Sequence, residues 1–265
     1  MADYTDDLGL AHVLADSADS ISAARFRAND LHVDRKPDTT HVTDADLTVE
    51  KTIRSTLGRY RSRDSILGEE FGLEGNSGRR WVIDPIDATA NYVRGVPVWA
   101  TLIALMDGDE PVVGLVSAPA LGRRWWAAKG AGAFAGKDRS RAERLKVSAV
   151  SKVEDASVSV SSITSWYEHG KGDNALGLLT DSWRDRAYGD FYSYVLLAEG
   201  TVDIAIEPEV ALWDLAALSV IVTESGGRFT SLDGTPGPAG GSAVATNGLL
   251  HGAVLERLNG PPARS

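Results

Sequence analysis

Two aspartates, Asp84 and Asp87, lie in the run Arg80-Trp81-Val82-Ile83-Asp84-Pro85-Ile86-Asp87-Ala88-Thr89-Ala90-Asn91. With the Ile86 carbonyl between them they offer the hard oxygen ligands that divalent cations prefer. Trp81 to Ile83 read as the end of a buried strand. Pro85 cannot donate to a sheet ladder and biases Asp84 towards extended geometry, which predicts that the strand stops at Asp84. Thr89 is then placed to cap a short helix running through Asn91 and Tyr92. The free N–H groups at such a helix start suit a phosphate. By itself, D-x-x-D describes equally well a turn with two solvated aspartates.

Three further acids fall at element boundaries. Thr43-Asp44-Ala45-Asp46 has the pattern of a helix N-terminus, with Thr43 as cap, continuing through Leu47, Val49, Ile53 and Leu57. Taken alone, Asp46 there does no more than cap. Ile66-Leu67-Gly68-Glu69-Glu70 is a short apolar run whose end delivers Glu69. Trp213 and Asp214 open a helix from Leu212 to Ser225, stopped by Gly226-Gly227. Asp46, Glu69, Asp84, Asp87 and Asp214 facing one another would need cations among them, but periodicity does not establish that they face.

The elements that must position these acids differ between the two halves of the chain. Leu8 to Arg27 has helical period, and Leu31 to Thr43 is polar and irregular. Val98–Asp107, Pro111–Ala118 and Arg124–Phe134 have hairpin spacing and predict an antiparallel sheet in which Trp125 and Trp126 pack. After Lys146 helices alternate with strands: Ala156–Ser162, Asp173–Trp183, Phe191–Glu199, Val202–Ile206, Leu212–Ser225, Phe229–Leu232, Ala243–Ala245 and His251–Leu258. The expected division is an α+β half over residues 1–147, holding most of the acids, and an α/β half over 148–265 supplying Asp214 and the substrate pocket.

Composition narrows the class. The chain has 265 residues, 43% hydrophobic and 24% charged, as is ordinary for a globular enzyme. A net charge of -10 without a basic tract argues against nucleic acid or anionic membrane as partner. It also sits badly with a phosphate substrate unless cations intervene. The absence of Cys excludes disulfides, thiolate metal sites and cysteine nucleophiles. Met1 to Asp7 is acidic and lacks the apolar core of a signal peptide, and no apolar run approaches a membrane span, so a cytoplasmic location is expected. His12, His32, His41, His169 and His251 lack metal-ligand spacing and read as surface or packing residues.

Gly68-Glu69-Glu70, Asp84-Pro85-Ile86-Asp87-x-Thr89-x-Asn91 and Trp213-Asp214-Leu215-Ala216-Ala217 together resemble the three motifs of the inositol monophosphatase family, in order and at similar spacing. The resemblance implies a layered αβαβα sandwich and a magnesium-dependent, lithium-sensitive phosphomonoesterase, with two to three ions per site and manganese as an alternative. It assigns Glu69, Asp84 and the Ile86 carbonyl to a first metal, and Asp84, Asp87 and Asp214 to a second. A third, weaker position falls at Glu69. Thr89 with Asp46 would orient and deprotonate the attacking water, and the N–H groups of Ala88 and Thr89 would hold the phosphate. The chain departs from the family at Ala88, usually Gly, and at Ala90, usually Lys or Thr. A helix-compatible conformation, in which Ala is harmless, is expected at Ala88.

Within the family, three stretches resemble the members that hydrolyse histidinol phosphate: Tyr92–Ala100, Arg123–Ala128 and Arg186–Phe191. The candidate substrate-binding residues are Asp190, Glu207, Gly189 and Arg186. Acids at 190 and 207 would suit a cationic leaving group. Asp190 has an alternative reading as a helix cap. The other substrates to weigh are inositol monophosphate, fructose bisphosphate and a phosphoadenosine nucleotide, and a non-catalytic metal-binding relative is a further reading. The resemblance also implies a homodimer.

Overall fold

The computed structural model describes residues 3–37 and 40–261. The first part of the chain runs α1 (Thr5–Arg25), β1 (Val33–Arg35), β2 (His41–Thr43), α2 (Asp44–Tyr60), β3 (Ser65–Gly68), β4 (Gly72–Glu74), β5 (Arg79–Asp87), α3 (Thr89–Arg94), β6 (Ala100–Asp107), β7 (Glu110–Ala118), β8 (Arg123–Ala128), β9 (Gly132–Gly136) and β10 (Glu143–Arg144). The second runs β11 (Ser157–Val160), α4 (Ile163–Glu168), α5 (Gly172–Asp181), β12 (Arg184–Arg186), α6 (Asp190–Ala198), β13 (Ile204–Glu207), α7 (Leu212–Glu224), β14 (Arg228–Thr230), β15 (Ala243–Thr246) and α8 (His251–Asn259).

An eight-stranded sheet in the order β10-β9-β8-β7-β6-β5-β3-β4 is antiparallel except for the parallel pair β3 and β5. A five-stranded sheet, β12-β11-β13-β15-β14, mixes both pairings. Alternation along β8 sends neighbouring tryptophans to opposite faces of the large sheet. Trp126 joins the layer formed with α1 and α2, where Leu14, Ile53 and Leu57 meet Trp81, Ile83 and Leu105. Trp125 joins the opposite layer, where Phe191, Val195, Leu215 and Leu218 of α6 and α7 meet Val82, Leu102 and Val116.

The other side of α6 and α7 packs on Ala205, Phe229, Ala243 and Ala245 of the small sheet. Trp166, Leu178, Val254 and Leu258 from α4, α5 and α8 cover that sheet's far face. The layers are therefore α, β, α, β, α, as the family resemblance implies. A helix held between two sheets must be apolar all round, and Leu212-Trp213-Asp214-Leu215-Ala216-Ala217-Leu218-Ser219-Val220-Ile221-Val222 nearly is. Each fully buried side chain such as Ile221 or Val222 contributes roughly 1.5–3 kcal/mol. Where α7 crosses β7, a Cβ on Gly114 would lie 2.3 Å from the Ala217 carbonyl oxygen, so only glycine permits the approach. That contact seats the helix that carries Asp214.

Two parts of the chain differ from expectation. Residues between Leu31 and Thr43, read as irregular, contain the β1–β2 hairpin, whose strands are too short for periodicity to register. Between the expected strand Ala156–Ser162 and helix Asp173–Trp183 lies α4, where the Ser162 side chain caps by accepting from the Ser165 N–H.

Candidate active site

The cavity that gathers the acids opens at the end of β5. Along β6 the partners of Asp84 and Asp87 are Leu102 and Ala100, so three steps on β5 match two on β6. This extra residue is a β-bulge. In a regular strand, positions an odd number apart point to opposite faces, and the bulge returns both carboxylates to one side. The strand thus continues through the proline to Asp87 instead of stopping at Asp84. Pro85 needs no ladder donor within the bulge, and its carbonyl accepts from the Thr101 hydroxyl at 2.8 Å.

Ala88 corrects the expectation of a helix-compatible residue. Its φ of 64° and ψ of 47° are left-handed, and it stands just before α3. A left-handed residue followed by a helical turn directs successive N–H groups into one concavity, a common anion cradle. The geometry explains why the family favours Gly here, and Ala carries a cost of roughly 1–2 kcal/mol. Thr89 does not cap α3 either. Its hydroxyl turns back to donate to the Ile86 carbonyl at 2.9 Å.

On the neighbouring strand, β3 delivers Glu69 through a tight turn built around Glu50. The buried Glu50 carboxylate accepts from the N–H groups of Glu70 and Phe71 and pairs with Arg54 at 2.8 Å. A Cβ on Gly68 would lie 1.9 Å from Glu50 Oε1, so glycine is required for the turn to close over this carboxylate. Glu69 and Glu70 share the ammonium of Lys36, at 2.7 and 2.8 Å. Lys36 lies in the hairpin segment that carries no sequence signal of function.

Asp214 is the third residue of α7, and its Oδ2 accepts from the Ala211 N–H at 3.0 Å. Carboxylate oxygens of Asp84, Asp87 and Asp214 all lie within 4.8 Å of one another. Asp84 Oδ1 is buried without a hydrogen-bond partner. Burial first, and then Glu69, Asp87 and Asp214, push the Asp84 carboxyl well above the usual range. Burial, then Asp190 and Asp214, does the same to Asp87, and burial raises Asp214 to about 7. Converging hard oxygens that cannot all ionise unaided fit a divalent cation.

Asp46 is fully buried. Its Oδ2 accepts from both the N–H and the hydroxyl of Thr43, completing the predicted capping box. Its Oδ1 is buried with no partner, and burial raises the carboxyl to about 7. Thr89 and Asp46 are thus bonded to Ile86 and Thr43 respectively, and neither bond joins them to each other.

Glu69, Asp84, Ile86, Asp87, Ala88, Thr89, Asp190, Glu207 and Asp214 line one cavity of about 340 Å³. Asp190 begins α6 with a left-handed φ of 48°, and the Phe191 N–H beside it donates to Asp87 Oδ2 at 2.9 Å. Asp87 therefore supplies the helix-start contact that the capping reading gives to Asp190. Gly189 is the N-cap residue with φ 76°. Arg186 lies exposed on β12, bonded to the Asp185 carbonyl, and does not line the cavity. Glu207 is raised to about 8, chiefly by burial, and accepts from the Tyr194 hydroxyl at 2.6 Å. His41 and Tyr194 also line the cavity, and sequence reasoning missed both. Tyr194, on the expected helix Phe191–Glu199, lies four residues after Asp190, the candidate cap of that helix, and this spacing is the signal that points to Tyr194.

A five-layer sandwich with a carboxylate cluster and an anion cradle at one strand-to-helix corner defines a metal-assisted phosphate-handling protein. The chain belongs to the inositol monophosphatase family, which it matches over residues 6–260. It is 59% identical to a histidinol-phosphatase of Streptomyces coelicolor over 263 residues, covering 98% of this chain and 99% of that one. It is 60% identical to a histidinol-phosphatase of Mycobacterium tuberculosis over 255 residues, covering 96% and 98%. The solved IMPase of Thermotoga maritima superposes with a TM-score of 0.85 at 28% identity, covering 96% of this chain and 97% of that one.

Proposed function

We propose that the protein hydrolyses histidinol phosphate to histidinol and inorganic phosphate. The observation that carries the reading is that one cavity is lined both by Asp84, Asp87 and Asp214, whose carboxylate oxygens converge within 4.8 Å, and by Asp190 and Glu207, acids outside that trio that would recognise a cationic alcohol. High similarity to two histidinol-phosphatases supports the same substrate.

Asp84, Asp87, Asp214, Glu69 and the Ile86 carbonyl are the residues that would hold two to three magnesium ions, with manganese as an alternative. When bound, such ions polarise phosphoryl oxygens and lower the pKa of water. The N–H groups of Ala88 and Thr89 hold phosphoryl oxygens from the other side. Thr89 orients the attacking water once its hydroxyl turns from the Ile86 carbonyl. The water's proton passes by way of Thr89 towards Asp46, whose carboxyl, raised to about 7 by burial, suits a base at neutral pH. The water oxygen bonds to phosphorus as the ester P–O bond breaks; the departing alkoxide takes a proton from a solvent water, and Asp46 returns the proton it received to solvent. Asp190 and Glu207 face the amine and imidazole of the leaving group. We further propose a cytoplasmic homodimer inhibited by lithium.

A phosphate-release screen with magnesium tests the substrate. Histidinol phosphate should be turned over with the highest kcat/KM among histidinol, inositol, sugar and nucleotide phosphates. Faster turnover of inositol monophosphate would overturn the substrate and leave the phosphatase reading in place.

A further inference from the structure

We propose that Tyr194 is a positioning residue that fixes the Glu207 carboxylate for recognition of the leaving alcohol's cation. The inference rests on the substrate reading above. Tyr194 is 1% exposed, yet it contributes to the cavity wall together with Asp190, one helical turn before it on α6. Its ring packs 5.7 Å from that of Phe229, tilted by 34°, which locks the direction in which the hydroxyl points. The hydroxyl meets Glu207 Oε2 at 2.6 Å.

A phenol has one proton to donate, and when a cation at the site holds Glu207 ionised that proton is committed to the carboxylate. Tyr194 therefore has none to offer the substrate while this bond stands, and it acts through Glu207. The Glu207 side chain projects from the end of β13 on three rotatable bonds. A free glutamate would lose that freedom each time a cation bound. Tyr194 fixes the carboxylate beforehand. A carboxylate accepts about four hydrogen bonds, so acceptor capacity remains for an ammonium or imidazolium. The same helix thus contributes one acid directly, Asp190, and orients another.

The test is a double-mutant cycle in the magnesium-loaded enzyme. Tyr194→Phe keeps the ring and its packing on Phe229. It should raise KM for histidinol phosphate by ~5–10-fold with kcat within ~2-fold, and leave glycerol phosphate and the half-saturating magnesium concentration unchanged. In a Glu207→Gln background the same change should cost less than ~2-fold, because there is no charge left to orient. Equal losses on both esters, or a full loss in the Glu207→Gln background, would overturn the positioning role. A wild type that prefers a neutral ester would instead overturn the substrate reading. The cycle read on that preferred ester then decides the role of Tyr194: coupling to Glu207 sustains it and additivity removes it.

Discussion

Two acid clusters, one reaching the cavity through Glu69 and the other lining it throughout, are neutralised in opposite ways. Glu69 and Glu70 are bridged by Lys36, a cation supplied by the chain itself. Among the described residues, Asp84, Asp87 and Asp214 have no such bridge. Asp87 accepts from the Phe191 N–H and Asp214 from the Ala211 N–H, while Asp84 Oδ1 has no partner among the described residues. Buried charge that is not paired is relieved by protonation or by an external ion. The contrast separates acids whose charge the fold offsets even without an ion, Glu69 included, from acids whose cost is offset only by a ligand, and the second kind marks the centre of the working end.

The largest effect should come from the cluster without its own cation. Asp84→Asn should fold and lose turnover by at least ~10³-fold, since it is assigned to both principal metals, and chelation of the wild type should do the same. Full activity in EDTA would remove the distinction between the clusters.

Stability against pH sharpens it next. Asp46 and Asp214, raised from 3.8 to about 7, and Glu207, raised from 4.5 to about 8, hold more protons folded than unfolded within those limits. Their contribution is fully present below about pH 4 and is lost as pH rises through 7 to 8. Melting of chelated protein should therefore fall between pH 5 and 8 by an amount that magnesium largely restores. A flat profile in EDTA would contradict the burial assigned to these groups.

Removing the internal cation makes the two clusters alike. Lys36→Met should destabilise the metal-free protein by ~1–3 kcal/mol, because both glutamates lose their partner, and magnesium should recover part of it. No change in a denaturant titration would mean that water serves Glu69 and Glu70 as well as the ammonium does.

At the substrate end, Asp190→Asn should raise KM for histidinol phosphate by ~10-fold and spare a small neutral phosphomonoester. Asn tolerates the left-handed backbone at this position, so the change reads charge alone. The smallest effect belongs to Ala88→Gly. Relief of the left-handed strain, less glycine's greater unfolded entropy, should stabilise by up to ~1 kcal/mol, seen as a higher Tm with turnover changed less than ~10-fold. A lower Tm would show that the left-handed backbone costs Ala nothing.

Local chemistry was legible wherever a motif closes within a few residues. The Thr43–Asp46 capping box forms as read, because both partners belong to one helical turn. The tryptophan pair packs on both faces of the sheet, because alternation is intrinsic to a strand. The order of five layers followed from family resemblance, and the all-apolar face of Leu212–Val222 agrees with it. Lys36 and His41 were not legible. Each lies in or beside a three-residue strand, and what it reaches is fixed by how the hairpin lies over the cavity. Arg186 was placed by its neighbours in sequence, but β12 carries it to an exposed sheet edge while Asp190, four residues on, turns inward.

By itself the sequence determined the ligand chemistry: oxygen donors at element ends, no thiols, and a proline and threonine around one corner. Only the tertiary structure decided which of those donors share a space. Asp84 and Asp87 face the same way because β6 forces a bulge on β5, and Asp214 joins them because Gly114 lets α7 lie against β7. Ala88 is left-handed because the chain must turn from that bulge into α3 within one residue, a demand that its own side chain does not express. Residue type sets what an atom can bond. Register and close approach between distant segments set what it meets, and neither is encoded within the window of a motif.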